Sequence, residues 1–184
     1  ENGPLLTPNT WTAYNLSSTS GYDPMAINDY SKYFQSNLNN QKINPYSSRY
    51  SELNHYNAKE LGESNVKYLL ALKYDNIDKI SSEGDHLNYK INLNEWNKVY
   101  EYGSVVVLEN KEFKPRIEIV DQNSQESIKD IDYSANKITF VANSQKDNSI
   151  LVLRDTWYPG WKAIVNNKEV VIDKYLGIYR QIYI

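Results

Sequence analysis

The sequence predicts an α+β protein. An N-terminal α/β subdomain with two helices and a short sheet occupies residues 1–114, and an antiparallel β-sandwich occupies residues 115–184. Three observations predict this. Apolar residues recur at spacings of three and four before about residue 62. The period shortens to two from about residue 96 onward. Turn formers then separate short apolar runs to the end of the chain, the pattern of a sandwich.

Residues 1–22 hold turn formers (Gly3-Pro4, Thr7-Pro8-Asn9, Ser17 to Gly21) around Trp11–Leu16, which reads as a short strand. Asp23-Pro24 signals a helix start, because Asp caps free N–H groups and Pro fits the first helical position. Ile27, Tyr30, Phe34 and Leu38 then share one face. A second helix is expected between Ser47 and Leu61, with Tyr50, Leu53, Asn57 and Leu61 on one face and Gly62 as its stop. Val66–Leu72 follows as a buried strand, and helix, Gly and strand in that order read as an α/β unit. Asp75–Asn88 is polar and reads as a loop.

Beyond it, Trp96–Tyr100 and Val105–Glu109 flank Glu101-Tyr102-Gly103-Ser104 as a hairpin. Further strands are expected at Arg116–Val120, Lys137–Ala142, Ser149–Arg154, Trp161–Val165, Glu169–Ile172 and Arg180–Tyr183. Asn166-Asn167 suits a tight hairpin because Asn tolerates the left-handed conformation. Pro159-Gly160 suits a type II turn. The expected core comprises Val66, Tyr68, Leu70, Ile138, Phe140, Leu151, Leu153 and Trp161. Arg180–Tyr183 ends the chain as an open strand, so the sandwich is expected to be truncated at its C-terminal end.

Composition narrows the function. The chain has no Cys, which removes thiol catalysis, disulfides and thiolate metal sites. Its only two His, His55 and His86, have no suggestive neighbours, so no transition metal and no organic cofactor are expected. Asp and Glu remain plentiful enough for a carboxylate-bound Ca²⁺. A net charge of −3 with mixed signs argues against nucleic acid, which needs a basic stripe. No apolar run approaches the roughly 20 residues of a membrane span. There is no Gly-rich phosphate loop, nucleophile elbow or zinc-protease motif, so no catalytic residue is assigned. Tyr is abundant, at 17 residues, and its apolar ring with a polar tip suits half-wet faces.

Two segments are more specific: Ser20-Gly21-Tyr22-Asp23-Pro24, and Leu153 to Ala163 containing Trp157-Tyr158-Pro159-Gly160-Trp161-Lys162, followed by Val165 to Val170. With them go Asn65-Val66-Lys67-Tyr68 and the series Trp96, Val99, Tyr100, Glu101, Gly103, Val107, Glu109, Asn110, Pro115 and Arg116. In this order, from about residue 14 to 180, the sequence resembles the YfhO-like family of bacterial polytopic membrane proteins. Trp157 stands where that family usually has Tyr, and Asn166-Asn167 replaces Asp-Gly.

The resemblance implies the C-terminal extracytoplasmic domain of a GT-C-like glycosyltransferase, on the outer face of the bacterial cell membrane. Such enzymes move a sugar from a lipid-phosphate carrier to an envelope polymer such as teichoic acid. Their catalytic acid lies in a loop of the membrane helices, outside this chain. The implied partners are the transmembrane portion of the same polypeptide and the lipid-linked sugar or envelope glycopolymer.

Tyr22, Asp23, Trp157 and Tyr158 are the candidate contacts to substrate or to the membrane domain. A Tyr ring stacks on a sugar face, and a carboxylate accepts from its hydroxyls. Each also has a plain structural reading: a turn and helix cap for Tyr22 and Asp23, and a turn capping the core for Trp157 to Trp161. The alternative function is a carbohydrate-binding or structural interaction domain of a surface protein without enzymatic activity.

Overall fold

The computed structural model describes residues 9–44, 50–51, 53–72, 91–120 and 127–184. The expected loop at 75–88, with His86, lies outside them, as do the turns before Asn9. The chain is α+β, and it divides into two compact units, Glu1–Lys114 and Pro115–Ile184.

In the first unit, Thr10–Tyr14 is a 3-10 turn bounded by Asn9 and Asn15 in the left-handed conformation, not the expected strand. The Asn9 side chain explains the difference. It donates to the Tyr22 carbonyl (2.8 Å) and accepts from the Tyr22 N–H (3.2 Å), taking the place of a strand neighbour. The chain at Trp11 is thereby free to curl. Gly21–Tyr22 (β1) pairs on its other side with Tyr50–Ser51 (β2).

The first helix, Asn28–Tyr33 (α1), starts later than Asp23-Pro24 implies. Asp23 Oδ1 instead accepts from the Met25 N–H at 2.8 Å, closing a turn ahead of the helix. The helix continues as a π segment, Phe34–Leu38, which buries Phe34 and Leu38. Tyr30 donates to the Thr19 carbonyl at 2.6 Å, and burial pushes its hydroxyl above the ordinary tyrosine range.

The second helix, Ala58–Glu63 (α2), is much shorter than expected. Asn57 stands before it as a cap, accepting from the N–H groups of Lys59 (2.9 Å) and Glu60 (3.3 Å). Glu95 Oε2 accepts the N–H of Ala58 at 3.1 Å. With its first donors met from outside, the helix need not extend back to Ser47. Leu53 and Tyr56 are buried from non-helical backbone.

Gly62 is not the stop. Asn65 takes the left-handed position (φ 60°), with Asn65 N–H on the Gly62 carbonyl and Val66 N–H on the Leu61 carbonyl, both at 2.9 Å. Gly62 answers a different demand. A Cβ there would sit 2.1 Å from the Glu112 carbonyl oxygen, so only Gly lets the helix meet that backbone.

The sheet of this unit is β3 (Tyr68–Leu72), β5 (Val105–Asn110) and β4 (Trp96–Tyr102), in that order and antiparallel throughout. The expected α/β unit therefore does not form: β3 pairs directly with the second strand of a hairpin. The face chosen is also the opposite of the one expected. Leu69 and Ala71 are buried, opposite Leu108 and Val106, while Tyr68 is 53% exposed. Tyr68-Leu69-Leu70-Ala71-Leu72 is apolar on both faces, so alternation cannot choose between them. The β4–β5 turn falls at Gly103, φ 58°.

The regular elements described in the second unit are all strands. β6 (Ile117–Ile119), β9 (Ile150–Thr156), β12 (Asp173–Tyr175) and β13 (Tyr179–Tyr183) form an antiparallel sheet in the order β12-β13-β9-β6. Two separate hairpins accompany it: β7 (Ile128–Ser134) with β8 (Lys137–Ala142), and β10 (Ala163–Val165) with β11 (Lys168–Val170). The β10–β11 turn is Asn166-Asn167, both left-handed (φ 48° and 63°), as a two-residue hairpin requires.

Ile117, Ile119, Ile128 and Leu151 form the core, with Ile138, Phe140, Leu153, Ile182 and Ile184 packed against it. Ile138, Phe140, Leu151 and Leu153 thus lie where alternation places them. β7 and β12 escaped the sequence reading. Both are polar, and β7 is exposed from Lys129 to Ser134.

Candidate functional site

β9 runs out at Thr156 into Trp157-Tyr158-Pro159-Gly160-Trp161, and Gly160 takes φ 103°, the positive value a Pro-Gly turn needs. The turn is tied back by the Trp157 N–H, which donates to the Ile178 carbonyl at 2.6 Å. It borders an open cleft of about 260 Å³ whose walls include Trp157, Tyr158, Trp161, Lys162, Glu169 and Val171. Tyr158 is 56% exposed, and both indoles are half-buried. Lys162 from the turn and Glu169 from β11 pair at 3.2 Å on the rim, both largely in solvent.

Each indole carries a cation over its ring. Lys174 Nζ lies 4.5 Å from the Trp157 ring centroid, and the Arg180 guanidinium 4.1 Å from that of Trp161. Such contacts are worth about 0.5–2 kcal/mol, more when desolvated, and they fix ring orientation.

Arg180 is itself held from behind. Its Nε donates to the Thr156 carbonyl at 3.2 Å, and its Nη2 lies 4.0 Å from Asp155. Asp155 accepts a two-pronged pair from Arg116, at 2.7 and 2.9 Å, and Arg116 lies over the Tyr133 ring at 4.7 Å. Burial pulls the Arg180 guanidinium below the ordinary arginine value; Asp155 opposes this and Arg116 adds to it. The hydrogen bond from Arg116 to Asp155 raises the value for Arg116. The line Arg116, Asp155, Arg180, Trp161 therefore connects the sheet to the wall of the cleft.

Of the four candidate contacts, Trp157 and Tyr158 lie together on this cleft in the second unit. Tyr22 and Asp23 belong to the first unit. Tyr22 is 37% exposed at the end of β1, with its backbone bracketed by Asn9. Asp23 is exposed and spends one carboxylate oxygen on the Met25 turn.

Trp161, expected to open a strand, precedes β10 and walls the cleft. Sequence reasoning missed the roles of Glu169, Lys174 and Arg180. Arg180 left a signal: it alternates with Ile182 and Ile184 on the core-facing side of a strand, where a charge demands partners.

Among the described residues no group of three His, Asp or Glu is placed to hold a metal ion, and no helix is long and apolar enough to cross a membrane. No family model, curated protein or solved structure matches the chain.

Proposed function

We propose that the chain is the extracytoplasmic accessory domain of a YfhO-type membrane glycosyltransferase, on the outer face of the bacterial membrane. In this reading it performs no chemistry. It helps to position a lipid-linked donor sugar or an envelope acceptor such as teichoic acid against the membrane part of the same polypeptide.

The observation that carries the reading is the turn from Trp157 to Trp161, which holds an exposed Tyr and two cation-capped indoles around an open cleft. Rigid aromatic faces at a polar, half-wet surface suit sugar rings and membrane-proximal contacts. Tyr22 and Asp23 are proposed to contribute from the first unit. The reading also takes the β12-β13-β9-β6 sheet and the β7–β8 hairpin as the two layers of a small β-sandwich. The isoleucine and leucine cluster, to which both contribute, supports this.

Glycosyl transfer from a lipid phosphate needs an acid or base at the acceptor hydroxyl and positive charge on the leaving phosphate. The cleft offers only an exposed Lys162–Glu169 pair. The purified chain is therefore expected to give no turnover of a polyprenyl-phosphate sugar in a radiolabel-transfer assay. Measurable turnover overturns the accessory reading. A carbohydrate-binding or structural domain of a surface protein without a transferase is the second reading, favoured by the same cleft. The two part on whether the full-length polypeptide carries envelope glycosylation activity.

A further inference from the structure

We infer that the cleft beside the Trp157–Trp161 turn is a binding subsite for one neutral pyranose ring, with Trp161 as its stacking platform and the Lys162–Glu169 pair as its hydroxyl partners. The inference deepens the reading of this turn as a sugar contact. It needs no membrane part for its test.

Three observations carry it. The first is size: about 260 Å³ lies below the roughly 300–1,000 Å³ of sites that enclose larger ligands, so the space fits one ring and not a buried oligomer. The second is preorganisation. Trp161 is fixed from one side by Arg180 at 4.1 Å and Trp157 by Lys174 at 4.5 Å, so a ligand meets rings that lose little freedom on binding. Arg180 acts here as a positioning residue for Trp161, anchored through Asp155 and Thr156.

The third is the sign of the rim. Lys162 can only donate and Glu169, ionised, can only accept, and they stand 3.2 Å apart. A sugar hydroxyl does both, so neighbouring hydroxyls can answer Lys162 and Glu169 at once. A carboxylate or phosphate would meet Lys162 favourably but would be repelled by Glu169. The pair is well exposed and so weakly held, and opening it to admit hydroxyls costs little.

The test is a heteronuclear NMR titration of the chain with maltose, cellobiose and diacetylchitobiose, and with glucuronate as the anionic comparison. The four Trp indole N–H signals separate the site from the background, since Trp11 and Trp96 belong to the first unit and are not among the residues that wall the cleft. The expected result is a saturable shift of the Trp157 and Trp161 signals, in the millimolar range, by at least one neutral disaccharide, with Trp11 and Trp96 unmoved. Trp161→Ala is expected to weaken binding at least tenfold, and Glu169→Gln about threefold; the latter lies on the surface and leaves the fold intact. The inference is overturned if no neutral sugar shifts these signals, if Glu169→Gln and Trp161→Ala both bind like the wild type, or if glucuronate binds more tightly. Should it fail while the same turn proves essential in the membrane protein, the turn contacts protein and the accessory reading stands.

Discussion

Replacing Glu118 by Ala is expected to destabilise the second unit by about 3–5 kcal/mol, the usual cost of removing one partner from a buried ion pair. Glu118 Oε2 meets Arg154 Nη2 at 2.7 Å, with side-chain exposures of 11% and 1%. Arg154 also donates to the Pro115 carbonyl at 2.8 Å and faces the Tyr175 ring at 6.0 Å. Glu118→Ala removes the carboxylate that meets the Arg154 guanidinium between β6 and β9. Denaturant unfolding of the purified chain checks this. The double variant Glu118→Leu with Arg154→Met is expected to recover most of the loss, because two apolar groups need no partner. A single-variant loss under about 1 kcal/mol would show that the pair is hydrated in solution.

The second large effect is expected at Asn110, 3% exposed at the end of β5. Its Nδ2 donates to the carbonyls of Ala58 (2.8 Å) and Val66 (3.0 Å), and its Oδ1 accepts the Glu112 N–H at 2.8 Å. One side chain thus joins the start of α2, the approach to β3 and the turn that Gly62 must meet closely. Asn110→Ala removes three hydrogen bonds to backbone groups, each worth about 0.5–1.5 kcal/mol net, so a loss of about 2–4 kcal/mol is expected. Asn110→Asp keeps the shape but turns an acceptor toward two carbonyl oxygens, and it is expected to be no better than Ala at neutral pH. Thermal melts of the two variants decide it. An Asp variant as stable as the wild type would contradict this bonding scheme.

These two residues mark where the sequence stopped being legible. Positions with local demands were readable: Gly103, Gly160 and the Asn166-Asn167 pair each need a positive φ that few residues tolerate, and each stands at a turn. Ile138 with Phe140 was readable because the polar Thr139 between them fixes a face, whereas Val152 between Leu151 and Leu153 is apolar and itself buried. Tyr68 to Leu72 carried no such contrast, and its buried face came out reversed.

Elements that depend on distant partners were not readable at all. Asn57 and Glu95 shorten α2 from its start, and Asn9 turns Trp11 away from a strand. Glu118 and Arg154 look like solvent-facing charges until β6 and β9 are laid side by side. At the candidate site, Trp157 and Tyr158 were visible as an aromatic turn. Glu169, Lys174 and Arg180 reach it only through the β10–β11, β12–β13 and β13–β9 pairings, which no local pattern announces.

Under the proposed function, a domain without chemistry of its own is needed by a membrane glycosyltransferase. The most direct measurement is envelope glycosylation in cells that make the full-length protein as wild type, with Trp157→Ala, with Asp23→Ala, or with this domain deleted, at matched protein levels by immunoblot. Deletion is expected to abolish envelope glycosylation, and Trp157→Ala and Asp23→Ala are each expected to reduce it severely. Full glycosylation with the domain deleted would contradict this proposal.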